Sequence, residues 1–178
     1  FCIVHYRRMV EELGEARAVP QMRRHVALYL KGNPGASMLR ERIMRIDGAG
    51  RRFPYSEAHA DYINIAREMS LGRASGYVVT AERPESYAPQ PGDLICIGRE
   101  QFAKLRFDDL PAGKFLSHCD IVVQAAPGSL SVIGGNVEDA VTMKHVPITA
   151  DGKLAGPDGI PLDPRYSWFV VLRVLYDR

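Results

Sequence analysis

Cysteine is scarce in this chain. Cys2, Cys96 and Cys119 are its three cysteines in 178 residues, and no two of them stand in a CxxC pair. An odd count at these spacings excludes a disulfide framework and a Cys-rich zinc site. One disulfide plus one free thiol remains open to it in an oxidising compartment. A charge excess is also missing: Lys and Arg number 23 against 21 Asp and Glu, for a net charge of +2. Nothing in that balance calls for nucleic acid or an anionic membrane as partner. No apolar run approaches the roughly 18 residues that would span a bilayer. Tryptophan occurs once, as Trp168 opening an apolar run, which suits a core position. The chain opens at Phe1 rather than Met, which implies residues upstream. Any signal peptide would lie there, so compartment is not read from its absence.

What is present is an ordinary globular composition, 46% hydrophobic and 25% charged, in a chain long enough for one domain with a sizeable core. Helical periodicity dominates the first third. Ile3, Tyr6, Val10 and Leu13 share a face over residues 2–13, and Met22 and Val26 begin a second stripe over 20–31. Asn33 and Pro34 suit the start of a third helix, in which Leu39, Ile43 and Ile46 recur at helical spacing. Ser56 caps a fourth, with Ala58, Tyr62, Ile65 and Met69 facing inward. Residues 72–90 read as loop with one short strand at 77–80, because Pro84, Pro89 and Pro91 interrupt regular structure. Strands follow at 93–97, 120–124, 130–133, 140–145 and 168–174, with a Gly- and Pro-rich loop over 150–167. Helices followed by a meander of strands predict an α+β domain, N-terminal helices packed on an antiparallel sheet. No repeat or linker divides it, so residues 1–178 read as a single domain, 1–33 forming N-terminal helices and 34–178 the core.

The chemistry-bearing residues gather around Ser117-His118-Cys119-Asp120 and Gly134-Gly135-Asn136. A turn at Pro127-Gly128 joins the two as a hairpin, which brings Asn136 beside His118. A histidine with an asparagine on the neighbouring strand is a base with an orienting group, but this pair lacks a nucleophile. The plainer alternatives are a histidine that satisfies a local carbonyl and an asparagine in a turn. Neighbours on a strand point to opposite faces, so Cys119 is expected to be a buried structural thiol that does not meet His118. Cys96, between two isoleucines, reads as core. His59, Asp61, His118, Cys119 and Asp120 supply donors that zinc accepts, yet their spacing matches no zinc signature, and no metal or cofactor is expected. Asp93 after Pro91-Gly92 reads as a turn carboxylate, and Arg99 as a group that pairs with a carboxylate or an anion.

Three stretches together resemble a known family: Pro91-Gly92-Asp93-Leu94-Ile95-Cys96, His118-Cys119-Asp120-Ile121-Val122-Val123 and Gly134-Gly135-Asn136-Val137. They are similar to the bacterial domain of unknown function 2272, as are Phe53-Pro54-Tyr55-Ser56 with His59 and Tyr62, Tyr87-Ala88-Pro89, and Val141-Thr142-Met143-Lys144. That family is in turn similar to papain-like cell-wall hydrolases of the CHAP and NlpC type. The resemblance implies a papain-like fold and a hydrolase acting on a peptidoglycan peptide or another amide, in the periplasm or outside the cell. It makes His118 the base and Asn136 its orienting partner. The chain departs from the family at the helix that carries the nucleophile. Pro34-Gly35-Ala36-Ser37 puts Ala36 at the nucleophile position, with Ser37 about 100° further round the helix. Two readings therefore stand side by side: an amidase or peptidase using His118, Asn136 and Ser37, and an inactive relative that binds a cell-wall or protein ligand in the same cleft. A metal-dependent hydrolase using His118, Asp120 and His59 is a third.

Overall fold

The computed structural model describes Glu11, Glu12, Phe53, Pro54, Ser56, residues 58–137 and residues 140–175. By its contacts the chain divides into residues 1–51 with 176–178 and residues 52–175, and the elements below all belong to the second unit. Glu11 and Glu12 are helical. The rest of the expected helices over 2–13 and 20–31, and the helix that carries Ala36 and Ser37, lie outside the described residues.

The second unit has one described α-helix and a six-stranded antiparallel sheet, which is the α+β class expected. Helix α1 spans His59–Ser70. The strands are β1 (Val79–Glu82), β2 (Leu94–Gly98), β3 (Ser117–Ala126), β4 (Ser129–Val137), β5 (Ala140–Pro147) and β6 (Trp168–Val174). Their spatial order is β1-β6-β2-β3-β4-β5. The last strand therefore inserts between the first two, and β2 through β5 form the meander. Two 3₁₀ turns, Glu100–Phe102 and Phe107–Asp109, lie on the path from β2 to β3.

Helix α1 differs in detail from its sequence pattern. Ser56 does not occupy the capping position, which belongs to Ala58. Instead the Ser56 hydroxyl accepts from the Ala58 N–H at 3.1 Å and donates to Asp61 at 2.6 Å. That places the Asp61 carboxylate in the first turn, where the helix dipole favours it. The buried face is Ala60, Tyr62, Ile63 and Ala66, whereas Ala58, Ile65 and Met69 are only half-buried. At the other end Ser70 ties the helix to β1, accepting from the Ala81 N–H at 2.8 Å.

Two cores flank the sheet. One holds α1 residues Ala60, Tyr62, Ile63 and Ala66 with Val79, Cys96, Cys119, Val170 and Leu172. The other holds Ile95, Val122, Leu130, Val132, Val146, Leu154, Trp168 and Val171, with Tyr87, Ile97 and Tyr166 packed against it. Alternation along β2 and β6 sends successive side chains to the two cores, which explains why these strands read as unbroken apolar runs. Asp93 sits at the entry to β2 with 1% exposure. Its carboxylate accepts from the Tyr87 hydroxyl, the Gln90 N–H and the Val174 N–H. The Pro-Gly-Asp turn thus fastens the start of β2 to the end of β6.

Cys96 and Cys119 face each other across β2 and β3 and form a disulfide, with Cα atoms 4.1 Å apart. Cys119 is buried as expected, but as a half-cystine and not as a free thiol. The short Cα separation marks a narrow, non-hydrogen-bonded pair, so the N–H of Cys119 points away from β2. The two cysteines are 23 residues apart in sequence. A loop of that size predicts a stabilisation of about 3 kcal/mol from restricting the unfolded chain. Urea denaturation with and without a thiol reductant is expected to show this loss, and an unchanged midpoint would mean that the bond contributes nothing to the folded state.

Candidate active site

His118 lies inside β3, not ahead of it, because the strand starts at Ser117. In the β2–β3 register Ile97 faces His118 and Ile95 faces Asp120. Positions 118 and 120 are two apart on one strand, so both side chains leave the sheet on the side of the second core. Both are buried, His118 with 5% exposure and Asp120 with none.

Three charged or titratable groups form a chain here. His118 Nε2 lies 2.9 Å from Asp120 Oδ1, and Lys144 Nζ donates to Asp120 Oδ2 at 2.7 Å. Apart from this close approach, neither His118 Nε2 nor Asp120 Oδ1 has a hydrogen-bond partner among the described residues. Lys144 arrives from β5, which places it opposite Val132 of β4. Its ammonium sits 5.1 Å from the centre of the Tyr166 ring and 6.0 Å from that of Trp168. Aromatic faces of this kind attract a cation that has left water. Burial on its own would raise the Asp120 pKa, but the hydrogen bonds to His118 and Lys144 and the Lys144 charge more than offset it and lower it. The carboxylate is therefore ionised at neutral pH.

Gly134 makes this chain possible. The β3–β4 register puts it beside Asp120, and a Cβ there would stand 2.2 Å from Asp120 Oδ1 and 3.1 Å from His118 Nε2. Any side chain would push the carboxylate off the histidine. Past Gly134 the β4–β5 ladder shifts register before Val137, and β4 stops pairing with β3 beyond Ile121–Ile133.

The space beside β3 at that point is taken by His59, the first residue of α1. Its Nδ1 accepts the outward-pointing N–H of Cys119 at 2.8 Å. Accepting there fixes the neutral ring with its proton on Nε2. The ring stacks on His118 with centroids 5.1 Å apart and planes 29° from parallel. Burial, then the charges of His118 and Arg99, lower the His59 pKa from 6.5 to about 4, against a smaller opposing effect of Asp120.

Among the expected site residues, His118 is thus in a built site and its observed partner is Asp120. Asn136 belongs to β4, and its side chain lies outside the described residues, as does Ser37. Cys119, a further zinc-type donor in the sequence, is spent in the disulfide and adds nothing to the metal alternative of His118, Asp120 and His59. Among the described residues, no three His, Cys, Asp or Glu side chains form a group able to hold a metal ion. Sequence reasoning missed the role of Lys144 and the pairing of His118 with Asp120. The second had a signal, because two-residue spacing within a strand gives a common face.

Residues 25–174 match the model of the family described as "Uncharacterized protein conserved in bacteria (DUF2272)". The chain belongs to this family. Neither the curated proteins nor the solved structures gave a match. The matched residues include every DUF2272 motif named above. Among the described residues of this DUF2272 chain, no helix is long and apolar enough to cross a membrane.

Two measurements check this geometry. A histidine whose folded pKa is depressed binds its proton more readily in the unfolded state. Stability is then full above pH 6.5 and falls as the pH drops from 6.5 toward 4, with no further loss from this group below that. The size is on the order of 1–3 kcal/mol after allowance for partial exposure. Urea denaturation at stepped pH is expected to show that slope in the parent and a flatter one in His59→Gln. Gly134→Ala is expected to destabilise the fold by about 1–3 kcal/mol, the usual cost of overpacking. It is also expected to shift the His118 ring signals in NMR spectra, and unchanged signals would mean that the carboxylate does not depend on Gly134.

Proposed function

We propose that the domain is a papain-like amide hydrolase of the NlpC or CHAP type with a degenerate nucleophile position, built for peptidoglycan peptides or a similar amide, with His118 as general base. The observation that carries this reading is the buried Asp120 carboxylate 2.9 Å from His118 Nε2. A base needs a partner that fixes its ring and stabilises the imidazolium formed when it takes a proton. Asp120 has both properties, and Lys144 keeps it ionised and aimed. With Nε2 turned to Asp120, Nδ1 is the ring atom left for proton transfer, and among the described residues no hydrogen bond engages it. In this scheme Nδ1 takes the proton of the nucleophile as the nucleophile attacks the amide carbon. It then gives that proton to the leaving amine as the C–N bond breaks. Water resolves the acyl intermediate by the same two transfers. Asp120 takes the orienting role that the family resemblance gave to Asn136.

The nucleophile is carried over from the resemblance alone. Ser37 is next to Ala36, which stands where relatives carry the attacking residue. That alanine supports the second reading, a domain that keeps the cleft and binds a cell-wall or protein ligand without cleaving it. The disulfide supports folding in an oxidising compartment, periplasmic or extracellular, because such bonds are rare in the reducing cytosol.

Turnover of muropeptides separates the readings. The parent is expected to show weak or no cleavage, and Ser37→Ala to change little. Ala36→Cys or Ala36→Ser is expected to create activity. Adding His118→Ala to the active variant is expected to remove that gain, and Asp120→Asn to cut it by about 10²-fold or more. Activity in Ala36→Cys that survives His118→Ala would overturn the assignment of the base. Robust parent activity lost in Ser37→Ala would make the chain a serine hydrolase.

A further inference from the structure

Arg99 stands at the end of β2 where the β2–β3 ladder opens. Its N–H donates to the Leu116 carbonyl at 2.9 Å, which continues the ladder one step past Gly98–Ser117. Arg99 therefore faces Leu116, and His118 is its diagonal neighbour on the other strand. Its backbone is extended, with φ −115 and ψ 154, so the alternation of β2 carries through and Arg99 shares the face of Ile97 and His118. Diagonal neighbours lie about 7–8 Å apart, within reach of a long side chain.

The backbone around it is built tightly. A Cβ at Gly98 would stand 1.8 Å from the Phe102 carbonyl oxygen, so no other residue fits there unless the chain moves. Glu100 is held in left-handed geometry, with φ 54, and is the one non-glycine residue of that kind among the described residues. The Phe102 N–H closes the turn on the Arg99 carbonyl at 3.0 Å. Backbone outliers of this kind cluster at active sites and ligand clamps. The Arg99 side chain is exposed, and among the described residues no carboxylate forms an ion pair with it. Lys144, the other cation at this site, is already spent on Asp120. The charge of Arg99 also reaches the site, since it is one of the causes that keep His59 neutral.

We propose that Arg99 binds a carboxylate on the molecule held at His118, so that the site selects amides carrying a free carboxylate close to the scissile bond. This rests on the reading of His118 as the centre of an amide site, and it adds the substrate class. A guanidinium fork suits the purpose because it meets a carboxylate with two parallel hydrogen bonds. Its position one diagonal from the base sets the carboxylate a short distance from the reacting amide, as in a peptide cleaved near its free C-terminus.

The test uses two probes that differ only in charge: an N-acetyl dipeptide with a free C-terminal carboxylate and the same dipeptide as its carboxamide. Binding is read from the His59 and His118 ring signals by NMR, without any need for turnover. The parent is expected to bind the acid about tenfold more tightly than the carboxamide at low salt. That preference is expected to vanish in Arg99→Gln and to survive in part in Arg99→Lys. Equal binding of the two probes by the parent, no perturbation by either, or an acid preference that persists in Arg99→Gln would each overturn the proposal. Hydrolysis of both probes by Ala36→Cys separates this proposal from the one beneath it. Equal KM for acid and carboxamide would refute the role of Arg99 and leave His118 as the base. Selective binding of the acid with no cleavage by any variant would refute the base and leave Arg99 as the anchor.

Discussion

The second face of the sheet is arranged around one fully buried negative charge. Asp120 has no exposed surface, and an isolated carboxylate in that position would be protonated or would unfold its surroundings. Two cations from different strands prevent this, Lys144 of β5 directly and His118 of β3 whenever it carries a proton. Each requirement of that charge reappears as a feature of the fold. Gly134 lacks a side chain because the carboxylate fills the space, and Tyr166 and Trp168 lie where they cover the Lys144 ammonium. Removing one partner of such a set costs far more than the set contributes as a whole, since the remaining charge stays buried. The arrangement is therefore tied to what it positions, which is the histidine.

The opposite side is organised differently. Helix α1 approaches the sheet through Ala60, Tyr62, Ile63 and Ala66, two of them small, which lets the helix start lie close to β3. His59 at that start takes a backbone N–H that no neighbouring strand can take, because β4 has already turned away. An unpaired strand edge thereby becomes the seat of an imidazole stacked on the His118 ring. The helix and the sheet meet at the site through this one side chain.

The sheet was legible in the sequence where burial is complete. Trp168–Val174 reads as a strand and is one, because a strand apolar on both faces leaves no ambiguity. The start of β3 was harder to see. Ser117, His118 and Asp120 are polar, and polarity argues against a buried strand unless the polar groups satisfy each other, which takes Lys144 from two strands away. That pairing depends on the shifts in the β3–β4 and β4–β5 ladders, which no local pattern encodes. The face of α1 was read one step off at Ala58, Ile65 and Met69, since large apolar residues suggested the stripe and alanines supplied it. The cysteines gave a count but not a partner, because a cross-strand bond requires knowing which residues face each other.

The bond between Cys96 and Cys119 has a consequence for how the chain reaches this state. A strand that slips by a single residue turns every side chain to the other face. For β3 such a slip would send His118 and Asp120 into the apolar core under α1 and turn Cys119 to the second core in their place. The two sulfurs can join across a narrow pair only when the ladder is in its native alignment. Oxidation therefore acts as a proofreading step: it seals the correct alignment, and a mispaired hairpin stays reduced and free to try again.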